Sequence, residues 1–270
     1  MPFATINGAD LFYTDEGAGQ PVLLVHGYTC DGQDWAWQIP ALKANHRVIT
    51  VDLRGHGHSS APDAPETYAP RAFAADLNAL LEQLGAKPAI AIGHSMGGAT
   101  VVALAVEHPD AVRAIVPVDS AYGWDPAGRE GMLGLVQSLG RPGAQETVLA
   151  MFNNGFYPPA SPPHLAAAHG RRVVAMPSHV LRAAMAGMVT GEGAFGFKPE
   201  SEVYLQRIAV PALAFRAGKQ NPAAMAEWEG RHLCHPYSKT VAWEGTGHFL
   251  HQERPAEFNA IVQEWIAGLP

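Results

Sequence analysis

One short stretch constrains this chain more than any other. Ile92-Gly93-His94-Ser95-Met96-Gly97-Gly98 follows the apolar run 89–92 and precedes a helix-like run over 99–107. A serine on so sharp a strand-to-helix turn takes strained backbone angles. The residues two before and two after it crowd together, a clash that glycines relieve. The turn lifts the hydroxyl out of the chain, and the helix N-terminus beneath it carries positive partial charge. The spacing predicts an exposed nucleophile at Ser95 on a strand–turn–helix unit.

The surrounding pattern repeats that unit. Residues 11–13 read as a strand after a turn at Asn7-Gly8. Pro21–Val25, Arg47–Val51 and 89–92 read as short buried strands, and 114–118 as another. Over 70–84, Phe73, Leu77, Leu80, Leu81 and Leu84 fall at helical spacing, with Pro70 suited to the first turn and Gly85 to the C-terminal cap. Buried apolar strands separated by amphipathic helices indicate an α/β chain with a parallel sheet covered on both faces. The alternation breaks at 121–207, a stretch rich in Gly, Pro, Met and aromatics with helical patches such as 178–189. It resumes with strands at 212–215 and 240–243 and a last helix from Pro255. The boundaries expected are a core formed by 1–120 and 208–270, with a helical insert over 121–207.

Two further motifs follow predicted strands. Val25-His26-Gly27-Tyr28 comes directly after Pro21–Val25. A tetrahedral oxyanion needs preorganised donors, and the backbone amides of Tyr28 and Met96 are the natural pair. Gly245-Thr246-Gly247-His248-Phe249 follows the strand at 240–243. A serine hydroxyl needs a base within reach to take its proton, and histidine has the suitable intrinsic pKa, so His248 is the expected base. Twelve other histidines compete, and His56, His58, His164, His169, His179, His232 and His235 read as surface or structural groups. His232 and His235 flank Cys234 without a second ligand group at metal spacing, so no zinc site is expected.

The order His26-Gly27, Asp52-Leu53-Arg54-Gly55-His56-Gly57-His58-Ser59, Gly93 to Gly97 and Gly247-His248 resembles the α/β-hydrolase superfamily across nearly the whole chain. The resemblance implies a mostly parallel eight-stranded sheet with helices on both faces and a helical cap inserted after the sixth strand. It implies Ser, acid and His in that chain order, and a mainly structural role for the 52–59 loop. The departure is the acid. Most members carry a carboxylate after the seventh strand, where this chain reads Arg216-Ala217-Gly218-Lys219-Gln220-Asn221-Pro222, with Asn221 in the expected place. A minority, including zearalenone lactone hydrolases and cofactor-free quinolone-ring dioxygenases, resembles a plan with the acid after strand six. Asp119 matches that place and is the favoured acid, with Asp125 and an Asn221 triad as alternatives.

A serine at the elbow excludes the dehalogenase and epoxide-hydrolase chemistries of the superfamily and leaves acyl transfer. Aromatics at Trp124, Phe152, Phe156 and Phe195 in the insert, with Trp35 after the oxyanion loop, are the candidate substrate pocket. They favour a hydrophobic small molecule, since no cluster of Arg or Lys stands ready for an anion. The leading expectation is a serine esterase or lactonase that works through an acyl-enzyme without cofactor or metal. The runner-up is C–C bond cleavage, as a β-diketone-type hydrolase or a cofactor-free dioxygenase, the latter supported by His235-Pro236-Tyr237. A non-catalytic ligand receptor is a third reading, disfavoured because it gains nothing from keeping Ser, His and the oxyanion loop together. Net charge is −7 with histidines neutral, which argues against nucleic acid or an anionic membrane as partner. No apolar run reaches bilayer length, the N-terminus lacks a signal-peptide pattern, and two distant cysteines do not form a disulfide framework. A cytoplasmic protein is expected; the pattern specifies no oligomeric state.

Overall fold

The computed structural model describes residues 2–191, 193–218 and 221–270. Lys219 and Gln220 of the segment before Pro222 therefore lie outside the described residues. The chain opens with β1 (Phe3–Ile6) and β2 (Ala9–Gly17), a hairpin closed by Asn7 at φ 46° and Gly8 at φ 77°. Positive φ at both turn residues matches the right-handed twist of paired strands. Then follow β3 (Pro21–Val25), α1 (Ile39–Leu42), β4 (Arg47–Val51), α2 (Pro70–Gln83), β5 (Ala89–His94), α3 (Met96–Glu107) and β6 (Val112–Val118). Five helices come next: α4 (Arg129–Ser138), α5 (Ala144–Gly155), α6 (Pro163–Ala175), α7 (Ser178–Val189) and α8 (Glu200–Leu205). The chain returns to the sheet with β7 (Leu213–Arg216), α9 (Pro222–Gly230) and β8 (Lys239–Ala242), and ends with α10 (Leu250–Glu253) and α11 (Pro255–Ala267).

The strands form one eight-stranded sheet in the order β1-β2-β4-β3-β5-β6-β7-β8. Only β2 runs against its neighbours; every pairing from β4 to β8 is parallel. This is an α/β-hydrolase sheet. Alternation along each strand feeds two cores, because successive side chains point to opposite faces. Val22 and Leu24 of β3, with Ile90 and Ile92 of β5, pack beside Phe258, Val262 and Trp265 of α11. Leu23, Val25, Ala89 and Ala91 face the other way, toward Phe73, Leu77, Leu80 and Leu81 of α2 and Val101 of α3. Each fully buried Leu, Ile or Phe stabilises the fold by roughly 1.5–3 kcal/mol.

The second core continues without a break into the segment between β6 and β7. Val136, Phe152, Val173 and Val180 belong to the same cluster as Leu77. Polar contacts tie this segment to the loop after β3. Arg172 of α6 donates to Asp31 at 2.8 Å and also to Asp34, while the Tyr28 hydroxyl donates to Leu181 O of α7 at 2.7 Å. The glycine-rich loop after β4 is held by buried ionic contacts. Arg54 forks onto Asp76 of α2 with two 2.7 Å bonds, and Asp52 accepts from the amides of Gly32 and His58. The carboxyl ends of β3, β5 and β6 thus sit beside one another, the edge of an open parallel sheet where ligands bind.

Candidate active site

Ser95 sits between β5 and α3 at φ 53° and ψ −114°. That conformation costs about 1–3 kcal/mol for a non-glycine residue and persists because its surroundings hold it. Its amide donates to Val118 O of β6 at 2.9 Å, and its carbonyl accepts from Ala99 and Ala121. A Cβ at Gly93 would lie 2.2 Å from Gly97 O, and one at Gly97 would lie 2.3 Å from Val25 O. Both glycines are therefore steric requirements of the elbow. Met96 is the first residue of α3, so its amide has no acceptor within the helix.

The loop after β3 approaches the elbow from the other side. His26 Nδ1 donates to Gly27 O at 2.8 Å, so Nε2 is the acceptor of the Leu53 amide at 2.9 Å. That neutral ring fastens the loop to the 52–59 segment, a role that the His-Gly motif by itself does not disclose. The Cys30 amide donates to Gly27 O at 3.2 Å, closing a turn with Thr29 at φ 61°. A Cβ at Gly27 would stand 2.9 Å from His94 Nδ1 and 3.2 Å from Ser95 Cβ, so only glycine allows the loop so close to the elbow. Burial pushes the Tyr28 phenol well above its ordinary range and keeps it neutral.

His248 lies in the loop between β8 and α10. Its Nδ1 is 2.6 Å from Asp119 Oδ2. Asp119 follows β6 at φ 40°, with its amide donating to Phe215 O and its Oδ1 accepting from the Ala217 amide at 3.1 Å. The other two candidate acids are spent elsewhere. Asn221 caps α9 by accepting from the Ala224 amide at 3.0 Å, and Asp125 accepts from the Ala127 amide at 2.9 Å. The His248 amide donates to Phe156 O at 3.0 Å, and the Phe156 ring lies over the imidazole with centroids 4.2 Å apart.

Ser95 and His248 open into a cavity of about 480 Å³. Tyr28, Trp124, Phe152, Phe156 and Phe197 supply aromatic wall, and Met132, Met151, Met185 and Met188 supply half of the chain's eight methionines. Flexible thioethers adapt to varied apolar shapes. A smaller space of about 330 Å³ adjoins Ser95, Asp119 and His248 on the side of Arg216. Two expected pocket residues are not here. Trp35 is fully buried against Val22, Leu24 and Leu42 on the opposite face of the sheet. Phe195 is buried against Tyr204, their rings stacked at 4.0 Å, and does not reach this cavity. The sequence showed an aromatic near a loop in both cases, and packing sent each side chain into a core. Phe197, two residues from Phe195, takes the wall position instead. His235 and Tyr237 lie beside one another at 5.9 Å near the outer strand β8, with Tyr237 facing the groove of β8 and α11, which removes their support for an oxygenase.

Cys30, Asp34 and His169 come together in the interior, their ligand atoms within 4.8 Å of one another. The donor set would suit a soft divalent ion, but Arg172 already neutralises Asp34. Burial and the adjacent Asp34 charge push the Cys30 thiol far up, away from the thiolate that a metal needs. Burial alone would raise the Asp34 carboxyl, yet His169 and Arg172 outweigh it and hold it well below the usual range. The grouping fits a neutralised hydrogen-bond network that joins α6 to the loop after β3.

Fold and site together define a hydrolase-type α/β scaffold with a serine elbow. A family model for the alpha/beta hydrolase fold matches residues 20–175. The chain belongs to that family. Bifunctional epoxide hydrolase 2 of Sus scrofa is 37% identical over 116 residues, 43% of this chain and 21% of that protein. The chain spans only about a fifth of that relative's length. Among solved structures, a thermophilic esterase from Thermogutta terrifontis aligns with a TM-score of 0.79 and 26% identity over 98% of this chain and 97% of the other. An enol-lactonase from Burkholderia xenovorans LB400 aligns with a TM-score of 0.78 and 24% identity over 98% of this chain and 100% of the other, a likeness of fold.

Proposed function

We propose that this protein is a serine hydrolase that cleaves a carboxylic ester or lactone of a hydrophobic small molecule through an acyl-enzyme. The observation that carries the reading is the 2.6 Å contact between His248 Nδ1 and Asp119 Oδ2, with Ser95 in the same cavity. A carboxylate at Nδ1 holds the proton there and leaves Nε2 free to accept one from Ser95. Ser95 Oγ then bonds to the substrate carbonyl carbon while His248 takes its proton. The oxyanion develops toward the amides of Tyr28 and Met96, each worth about 3 kcal/mol in the transition state. His248 returns the proton to the leaving oxygen, and water, activated by the same imidazole, releases the acid. The segment 121–207 acts as a cap that walls the apolar cavity.

The esterase likeness supports ester chemistry at this site. Epoxide opening, suggested by the Sus scrofa relative, does not suit the elbow. A carboxylate nucleophile would leave an ester that water can cleave, whereas Ser95 would leave a stable ether. The test is turnover of p-nitrophenyl acyl esters together with intact-mass detection of an acyl group on Ser95. Cleavage that continues in Ser95→Ala would overturn the proposal.

A further inference from the structure

We infer that His94, the residue before the nucleophile, is a positioning residue that registers the base loop against the serine elbow, an assignment that rests on the serine-hydrolase reading above. His94 is fully buried at the end of β5. Its Nε2 lies 2.9 Å from His248 O, a carbonyl that can only accept, so Nε2 carries the proton. Nδ1 is then bare, has no partner among the described residues, and faces Gly27 of the oxyanion loop. One imidazole therefore touches the three parts of the site: the elbow through its own backbone, the base loop through its N–H, and the oxyanion loop through its edge. Its ring packs among His248 at 4.5 Å, His251 at 4.7 Å and Phe249 at 4.9 Å.

The His248 peptide is gripped from two directions. The Phe156 carbonyl holds its N–H from the helical segment, and His94 holds its C=O from the residue adjoining Ser95. Movement of the helical segment can shift the first contact. The second ties base to nucleophile across a single residue and is independent of that segment. Burial, reinforced by the neighbouring His248 and His251, keeps His94 neutral, so it supplies a donor without placing a charge beside the imidazolium that forms during turnover. Gly27 complements this arrangement, since any Cβ there would press on the His94 ring.

The test compares wild type, Ser95→Ala, His94→Phe and His94→Gln on p-nitrophenyl butyrate. Phe fills the space without a donor; Gln places an N–H the same number of bonds from Cβ as His Nε2. His94→Phe is expected to lower kcat about ten- to hundredfold with KM within about threefold, because the base is misplaced while the apolar cavity is intact. His94→Gln is expected to recover most of that loss. A kcat for His94→Phe within threefold of wild type overturns the assignment. Equal impairment of both variants also overturns it, because packing and not the bond would then carry the effect. Should His94→Phe fail to fold, His94→Gln against His94→Asn, whose donor is one bond too short, carries the same comparison. NMR of 15N-histidine-labelled protein reads the contact without turnover. A slowly exchanging His94 Nε2–H is expected in wild type and in Ser95→Ala alike, and its absence overturns the assignment. Persistent activity in Ser95→Ala sinks the hydrolase reading instead, and the NMR result still decides the role of His94.

Discussion

Replacing Asp119 by asparagine probes the site at its most informative contact. Asp119 Oδ1 is pinned by the Ala217 amide at 3.1 Å, so the amide oxygen of an asparagine would keep that place and turn its Nδ2 toward His248 Nδ1. Two donors cannot face each other. The ring must present a bare Nδ1 and move its proton to Nε2, where it blocks acceptance from Ser95. The variant also loses the charge that stabilises the imidazolium. The His248 and Asp119 side chains are 13% and 15% exposed, so an effective dielectric near 20 applies. At a charge separation near 4 Å that is about 4 kcal/mol, or roughly a thousandfold in rate. The wrong tautomer adds to this, giving a fall in kcat of about 10⁴-fold. The assay is kcat on a p-nitrophenyl ester with a matched thermal melt. A loss below tenfold in a folded variant would show that Asp119 does not set the tautomer and charge of His248. Asn221→Ala is the paired control. It removes a cap from α9, costing about 1 kcal/mol of stability, and should leave kcat within about twofold.

Ser95→Ala is expected to abolish ester turnover and to raise the melting temperature or leave it unchanged, since it removes a reactive hydroxyl from a strained turn; activity within tenfold of wild type would unseat the nucleophile. Trp124→Ala should raise KM for aryl or long-chain acyl esters about tenfold while sparing acetates, measured as a ratio across an acyl series. Stability should fall as pH drops below 6.5. Burial takes His56 and His251 down to about 3, helped at His56 by neighbouring His26 and at His251 by His169 and His248. Between pH 3 and 6.5 the unfolded chain binds protons that the folded chain refuses. Each ring then costs about 1.4 kcal/mol per pH unit, and urea midpoints that match at pH 7.5 and pH 5 would contradict this. Gly97→Ala should prevent folding or cripple it, because its Cβ would strike the Val25 and His26 carbonyls; circular dichroism melts decide it.

Local spacing made the scaffold legible in the sequence. A glycine two residues to either side of Ser95, a helical apolar stripe from Phe73 to Leu84, and the unbroken apolar run Val22–Val25 are each set by neighbours a few positions apart. Backbone sterics and the 3.6- and 2-residue periods act over that range. The choice among Asp119, Asp125 and Asn221 was different in kind. All three precede or follow strands plausibly, and only the meeting of β6, β7 and the His248 loop brings one carboxylate to 2.6 Å from the imidazole while the other two side chains turn to helix ends. Side-chain destination was likewise a tertiary matter. Trp35 and Phe195 have the composition of pocket walls, but the direction of each Cα–Cβ bond relative to the packed sheet and helices sent one into the core below the sheet and the other against Tyr204. The donor from His94 to His248 O joins residues 154 positions apart, and no periodicity in a chain reports a contact at that separation. Sequence determines what each segment can be, because propensity and pattern are local; the site exists only where folding closes long loops and sets the ends of separate strands side by side.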